Sequence, residues 1–225
     1  MTQSLLTIEE KNQNIQEFSL AQKILHSLAL IPLLIVMAAA AGTVFGLLPG
    51  GAFLGITSSL ANVTVWSFSL LLACTPLHIV TGWRWPLTLK RPLGLYTFLY
   101  ALMHYFVFSS AFGFAVGATA AATVSSFMLG FGFVAVALMA PLALTSNRFS
   151  MKTLGRNWKR LHALTYVVAV FIIFHLFALG QGGALALFYC VLLGARIPAV
   201  RSKIVMFRKS LLSRRPEAQT APSAS

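Results

Sequence analysis

The chain has 225 residues, of which 58% are apolar and 9% charged, with a mean hydropathy of +0.82 and a net charge of +13. A water-soluble domain carries about 25% charged residues, so the composition excludes one and leaves an integral membrane protein. Nor does the charge indicate nucleic-acid binding, because the cations fall in segments between apolar runs and not on one soluble face.

Residues 1–21 are polar and hold Glu9, Glu10 and Glu17, three of the four acidic residues. They lack the basic start and short apolar core of a cleaved signal peptide, so the first apolar run, 22–48, is expected to stay as a helix. Further spans are predicted at 58–80, 94–114, 122–145, 161–179 and 183–198, lengths compatible with the ~20 apolar residues that cross a hydrocarbon core. The breaks are Pro49-Gly50-Gly51, Pro86 and Pro92, and Gly180 with Gly182-Gly183, residues that punctuate helices. The outer loop after the third span is read as about seven residues, mainly Gly and Ala. Long apolar runs without strand-length alternation exclude a β-barrel.

The cations orient these spans. Arg84, Lys90 and Arg91 follow span two. Arg148, Lys152, Arg156, Lys159 and Arg160 follow span four, and Arg196, Arg201, Lys203, Arg208, Lys209, Arg214 and Arg215 follow span six. The loops after spans one, three and five hold no Lys or Arg. Six spans therefore put every such cation on the side of the amino terminus, which the positive-inside rule makes cytoplasmic. The expected fold is an all-α, six-helix membrane bundle with both termini inside. It comprises a polar cytoplasmic segment (1–21), a membrane domain (22–198) and a basic cytoplasmic tail (199–225). The tail from Arg201 to Leu212 mixes cations with Ile204, Phe207 and Leu211 and reads as a helix on anionic lipid. After Pro216 it reads as disordered. Trp83, Trp85 and Trp158 read as interfacial anchors, and Cys74 and Cys190 as small buried hydrophobes outside any metal-spaced cluster.

No Asp occurs and no Glu falls in a predicted span, which argues against a proton pump or cation-coupled carrier. The five histidines, His26, His78, His104, His162 and His175, all lie in or at the edge of spans instead. Imidazole is a common axial ligand of haem iron. His104 lies 13 residues past Arg91 and His175 lies 15 past Arg160, depths of ~20 and ~22 Å at ~1.5 Å per residue. Spans three and five run in the same direction, so these two share a level and are predicted to grip one iron from opposite sides. His162, two residues past Arg160, lies near the cytoplasmic face. It stands ~20 Å along the helix from His175, too far to share an iron with it. A ligand role for His162 needs a partner at its own level, for which His78 and His26 are both near enough in depth. The 13-residue separation also puts His162 and His175 ~140° apart around an ideal helix, so periodicity alone does not require two stacked haems.

Three runs carry a resemblance. Leu72–Leu77 (LACTPL), Lys90–His104 (KRPLGLYTFLYALMH) and Leu142–His175, with Thr145-Ser146, Leu154-Gly155, Trp158, Leu161-His162 and Tyr166, resemble the MsrQ/YedZ family. These are haem-binding membrane subunits of bacterial methionine sulfoxide reductase systems, within the ferric-reductase-like transmembrane family. The resemblance covers roughly residues 70–180. It implies one or two b-type haems held by His104, His162 and His175 in a bacterial inner membrane. It also implies electrons from a cytoplasmic flavin reductase, through flavin, or from a quinol or quinone pool. The acceptor would be a periplasmic molybdenum-containing enzyme that returns methionine sulfoxide to methionine. Basic residues near Arg91 and Arg156–Arg160 are candidates to hold haem propionates. The chain has no Gly-rich dinucleotide loop and no room for a flavin or nicotinamide domain, so it would act as an electron-transfer subunit without a substrate-reducing domain. A related alternative is a ferric or cupric reductase acting at its outer haem. The rival from another class is a small permease whose histidines line a polar path.

Overall fold

The computed structural model of the chain describes residues 2–213; the stretch read as disordered after Pro216 lies outside them. Ten α-helices follow one another, with no strand among the described residues. They are α1 Thr2–Val44, α2 Gly50–Thr81, α3 Trp85–Ser109, α4 Val116–Ser125, α5 Phe127–Leu144, α6 Arg148–Leu154, α7 Arg156–His162, α8 Leu164–Ala178, α9 Gly182–Gly194 and α10 Pro198–Ser213. Five segments are long and apolar enough to cross a bilayer: Gln22–Gly42, Leu54–Thr81, Trp85–Phe112, Phe127–Leu144 and Arg156–Ala178. A sixth exists only if α9 and α10, bent by 74° at their junction, count as one. The predicted span 183–198 is thus a helix of 13 residues, about 20 Å long against a ~30 Å core.

Several boundaries differ from the sequence reading for local reasons. Pro92 does not open span three. The helix starts at Trp85, Pro86 sits in its first turn, and Pro92 lies within it; a proline in the first turn forfeits no hydrogen bond that the helix would otherwise make. The Ala-rich segment taken for an outer loop forms α4, in keeping with the helix preference of alanine. The apolar run 122–145 then breaks at Ser126, whose hydroxyl accepts from the Leu129 N–H at 3.4 Å and caps α5. The cationic loop after α5 also folds. Asn147 caps α6 by accepting from the Ser150 N–H at 2.7 Å, and Gly155, at φ 48° and ψ −117°, divides α6 from α7, a conformation that a side chain would resist.

The core lies where α2, α3, α5, α8 and α9 meet. Phe68, Leu72, Ala101, Ala135, Met139, Val168, Ala169, Ile172, Leu176, Tyr189 and Leu192 form one buried cluster there. Water-driven burial does not separate one helix from another in lipid, so close packing and interhelical hydrogen bonds hold such a bundle. Tyr189 is fully buried, and its hydroxyl meets Ser69 Oγ at 3.2 Å. α1 is peripheral: it docks through Val36 on Leu60 and Val107, and through the Tyr100 hydroxyl, which donates to the Ala29 carbonyl. Leu34, Leu70, Phe106, Phe174 and Leu187 stand exposed, as lipid-facing side chains do. α10 folds back on the end of α2, where Arg208 Nη1 donates to the carbonyls of Ile79 at 3.0 Å and His78 at 3.4 Å. Those carbonyls belong to the last turn of α2, which lacks helical partners for some of its acceptors.

Candidate functional site

Direction along the bundle sorts the histidines. α2 and α5 run toward the end where the interhelical cations lie, and α3 and α8 run away from it. His104 near the end of α3 and His175 near the end of α8 therefore approach one another at the far end. They are close enough for a charge on one to be felt at the other.

Each ring is fixed by a backbone carbonyl of a neighbouring helix. His104 Nδ1 lies 2.9 Å from the Thr57 carbonyl of α2, and His175 Nδ1 lies 2.7 Å from the Met128 carbonyl of α5. A carbonyl only accepts, so Nδ1 is the donor in both rings, which in the neutral tautomer puts the lone pair on Nε2. Among the described residues no group hydrogen-bonds to either Nε2. An outer hydrogen bond of this kind is what fixes the tautomer of a metal-ligating histidine. Gly132 makes the second contact possible. It stands one turn after Met128, and a Cβ there would come within 2.9 Å of His175 Nδ1. The hydroxyl of Thr57 is buried without a partner, a polar atom left open beside this pair. Two imidazoles that donate through Nδ1, with Nε2 atoms that no described group occupies and a glycine cradle beside one of them, fit an iron that both would ligate. Haem iron is the group that this donor set suits.

His162 belongs to a different place. It lines a cavity of about 570 Å³ toward the cationic end, between α2, α3, α5 and the α6–α8 segment, a volume in the ~300–1,000 Å³ range of cofactor sites. Phe68, Leu72, Met139 and Leu142 form apolar walls, Lys90, Arg91, Lys159 and Arg196 supply cations, and no carboxylate lines the cavity among the described residues. His162 Nδ1 donates to the Trp158 carbonyl at 3.1 Å. Its Nε2 lies 3.3 Å from Ser146 Oγ, but that hydroxyl donates to the Leu142 carbonyl at 2.7 Å, which leaves the Nε2 lone pair available. The Trp158 indole stacks on the imidazole at 3.9 Å between centroids and is itself held by donation from Nε1 to the Thr145 carbonyl at 3.0 Å. Arg91 closes one side by donating to the Ser146 carbonyl at 2.6 Å.

The structure does not bring His78 or His26 to His162, and neither lines the cavity. His78 Nδ1 pairs with the Trp83 carbonyl at 2.6 Å in the turn after α2. His26 Nδ1 pairs with the Tyr96 hydroxyl at 2.7 Å and fastens α1 to α3. Sequence reasoning missed three contributors. Trp158, read as an interfacial anchor, orients His162; its signal was the four-residue spacing, which puts both on one helix face. Gly132 carried a signal only as a glycine inside an apolar helix. Arg196, read as one more orienting cation, turns inward.

Comparison with known proteins gives the family. Residues 58–173 match the family profile described as "Ferric reductase like transmembrane component". Three relatives bear the name "Protein-methionine-sulfoxide reductase heme-binding subunit MsrQ". The protein of Herminiimonas arsenicoxydans is 37% identical over 123 residues, 53% of this chain and 56% of that one. That of Ralstonia nicotianae is 35% identical over 153 residues, 66% of this chain and 68% of that one. That of Brucella anthropi is 41% identical over 101 residues, 44% of each. The chain thus spans between 44% and 68% of the length of these relatives. No solved structure matches the chain significantly. The match over half of the chain, with the extent of the Ralstonia alignment, means that this chain belongs to the ferric reductase-like transmembrane family and, within it, to the MsrQ group.

Proposed function

We propose that this chain is the haem-holding membrane subunit of a methionine sulfoxide reductase system. In this reading it carries electrons from a cytoplasmic flavin reductase or quinol to a molybdenum-containing partner outside. The observation that supports it most is the His104–His175 pair, two imidazoles on α3 and α8 whose Nδ1 atoms are committed to carbonyls. The names of the relatives add the haem and the reductase partnership. Haem supplies reversible one-electron chemistry when bound. The residues here would do the rest: His104 and His175 would ligate, the Thr57 and Met128 carbonyls would set their tautomers, and His162 would offer a ligand at the cavity for a second haem. Neither His26 nor His78 lines that cavity. The test is the spectrum of the purified full chain and its reoxidation. A low-spin b-type spectrum, with electrons delivered to a methionine sulfoxide reductase of the molybdenum class, is the expected result. A colourless preparation overturns the reading.

The orientation in this proposal has both termini in the cytoplasm, supported by the segregation of Lys and Arg to one end of the bundle. Reporter fusions at Gly50, Gly117 and Gly182 should report the outer side, and those at Arg156 and Arg208 the inner side. Gly117 and Arg156 reporting the same side would refute it.

A further inference from the structure

Arg196 sits just past α9, at the bend before α10, where a long cationic side chain ordinarily reaches outward to the headgroups. It does the reverse. Its Nη2 donates to the carbonyl of Leu72 at 2.5 Å, and Leu72 lies nine residues inside the end of α2, a depth of ~14 Å. That carbonyl is free because its helical partner would be the N–H of residue 76, and residue 76 is proline. The guanidinium carbon lies 5.7 Å from the centroid of the Tyr166 ring. Arg196 Nε is buried with no hydrogen-bond partner.

Lys90 reaches the same cavity from α3 and donates to Thr75 Oγ1 at 3.1 Å. It is near enough to Arg196 for the two charges to repel. Two cations facing one cavity, one of them with a buried unpaired Nε, and with no carboxylate among the described lining residues, are costly unless an anion joins them. A guanidinium suits a carboxylate or a phosphate in particular, because its fork donates to two oxygens at once. We infer that Arg196, set in place by the proline-freed carbonyl of Leu72, is the anion-holding residue of the inner cavity. Its ligand is the carboxylate or phosphate of a planar redox group seated beside His162. The inference rests on the proposed function for the redox nature of the ligand. Haem, through a carboxylate, and flavin mononucleotide, through its phosphate, are the two sources of that chemistry.

The experiment uses the full chain in lipid nanodiscs, with Arg196→Gln, Arg196→Lys and Pro76→Ala. Pro76→Ala gives the Leu72 carbonyl a helical partner again, so it loosens Arg196 without weakening α2. Haem per chain, the midpoint of each haem and flavin mononucleotide affinity are measured for each. If a haem occupies the cavity, Arg196→Gln should weaken its reduction about tenfold, ~59 mV for one electron, because the lost positive charge had favoured the reduced form. The His104–His175 haem should keep its midpoint. Arg196→Lys should restore most of the shift, which a purely structural residue would not do, and Pro76→Ala should reproduce part of it. If only the far haem is present, the inner-haem reading fails. The flavin arm then decides: a tenfold or larger loss of flavin mononucleotide affinity in Arg196→Gln, with a smaller loss in Pro76→Ala, supports the inference. Unchanged midpoints at full haem content, or unchanged or absent flavin binding in a one-haem chain, overturns it.

Discussion

Chains carrying His104→Ala or His175→Ala are expected to lose the haem between α3 and α8, or to hold it high-spin through one remaining imidazole. Both rings present Nε2 because their other nitrogen is occupied by a carbonyl, so neither has a rotated state that could substitute. Removing only an outer partner of a metal ligand costs about 10- to 100-fold in affinity, and removing the ligand itself should exceed that. Gly132→Val belongs in the same series. Its Cβ would fall 2.9 Å from His175 Nδ1, so the ring must leave the Met128 carbonyl although the histidine is still present. Haem content in Gly132→Val should fall toward that of His175→Ala. Normal spectra and haem content in the two histidine variants would remove this site, while a normal Gly132→Val would show only that His175 tolerates a second position.

The second large effect is expected from His162→Ala. His162 is the one histidine that lines the cavity at the cationic end, and Trp158 holds it from the face while the Trp158 carbonyl holds Nδ1. Its loss should empty the cavity of iron-bound haem and slow reduction by a cytoplasmic donor, leaving the low-spin signal of the far pair intact. Trp158→Ala should give a weaker version of the same defect, because the ligand survives without its stack. His78→Ala and His26→Ala should leave haem stoichiometry unchanged, since neither residue lines the cavity. Stopped-flow reduction with haem quantitation checks all four. Full stoichiometry and unaltered reduction in His162→Ala would restrict the chain to the far site.

The depth of His104 and His175 was readable because a helix rises by a constant amount and the cations mark where each span starts. Their neighbours were not readable, since a carbonyl acceptor on another helix leaves no side-chain trace. Thr57 and Met128 contribute only backbone. The cation count was equally one-sided. It described Arg196 well as an orienting charge and gave no hint of its inward turn, whose only trace was Pro76 four residues after Leu72. The helical pattern was clearest where spans were unbroken and failed at Ser126, because small hydroxyl residues such as Thr123, Ser125 and Ser126 also occur inside membrane helices and a single hydroxyl makes the cap. Pro92 misled in the opposite direction, since α3 starts earlier, at Trp85 with Pro86 in its first turn, and runs on through Pro92.

α2 contributes one carbonyl to each site, Thr57 to the far pair and Leu72 to the cavity. Those carbonyls are 15 residues apart on one helix, ~22 Å in rise, and the proline lies beyond both. In the proposed function, a single rod therefore sets the gap between the two sites that an electron would cross, and the connecting loops have no part in it. The spacing is also phased. One residue inserted between Thr57 and Leu72 would lengthen the gap by only ~1.5 Å but would turn one carbonyl by ~100° relative to the other. Either His104 or Arg196 would then lose its anchor. Between Thr57 and Leu72, substitution keeps this phase and insertion breaks it.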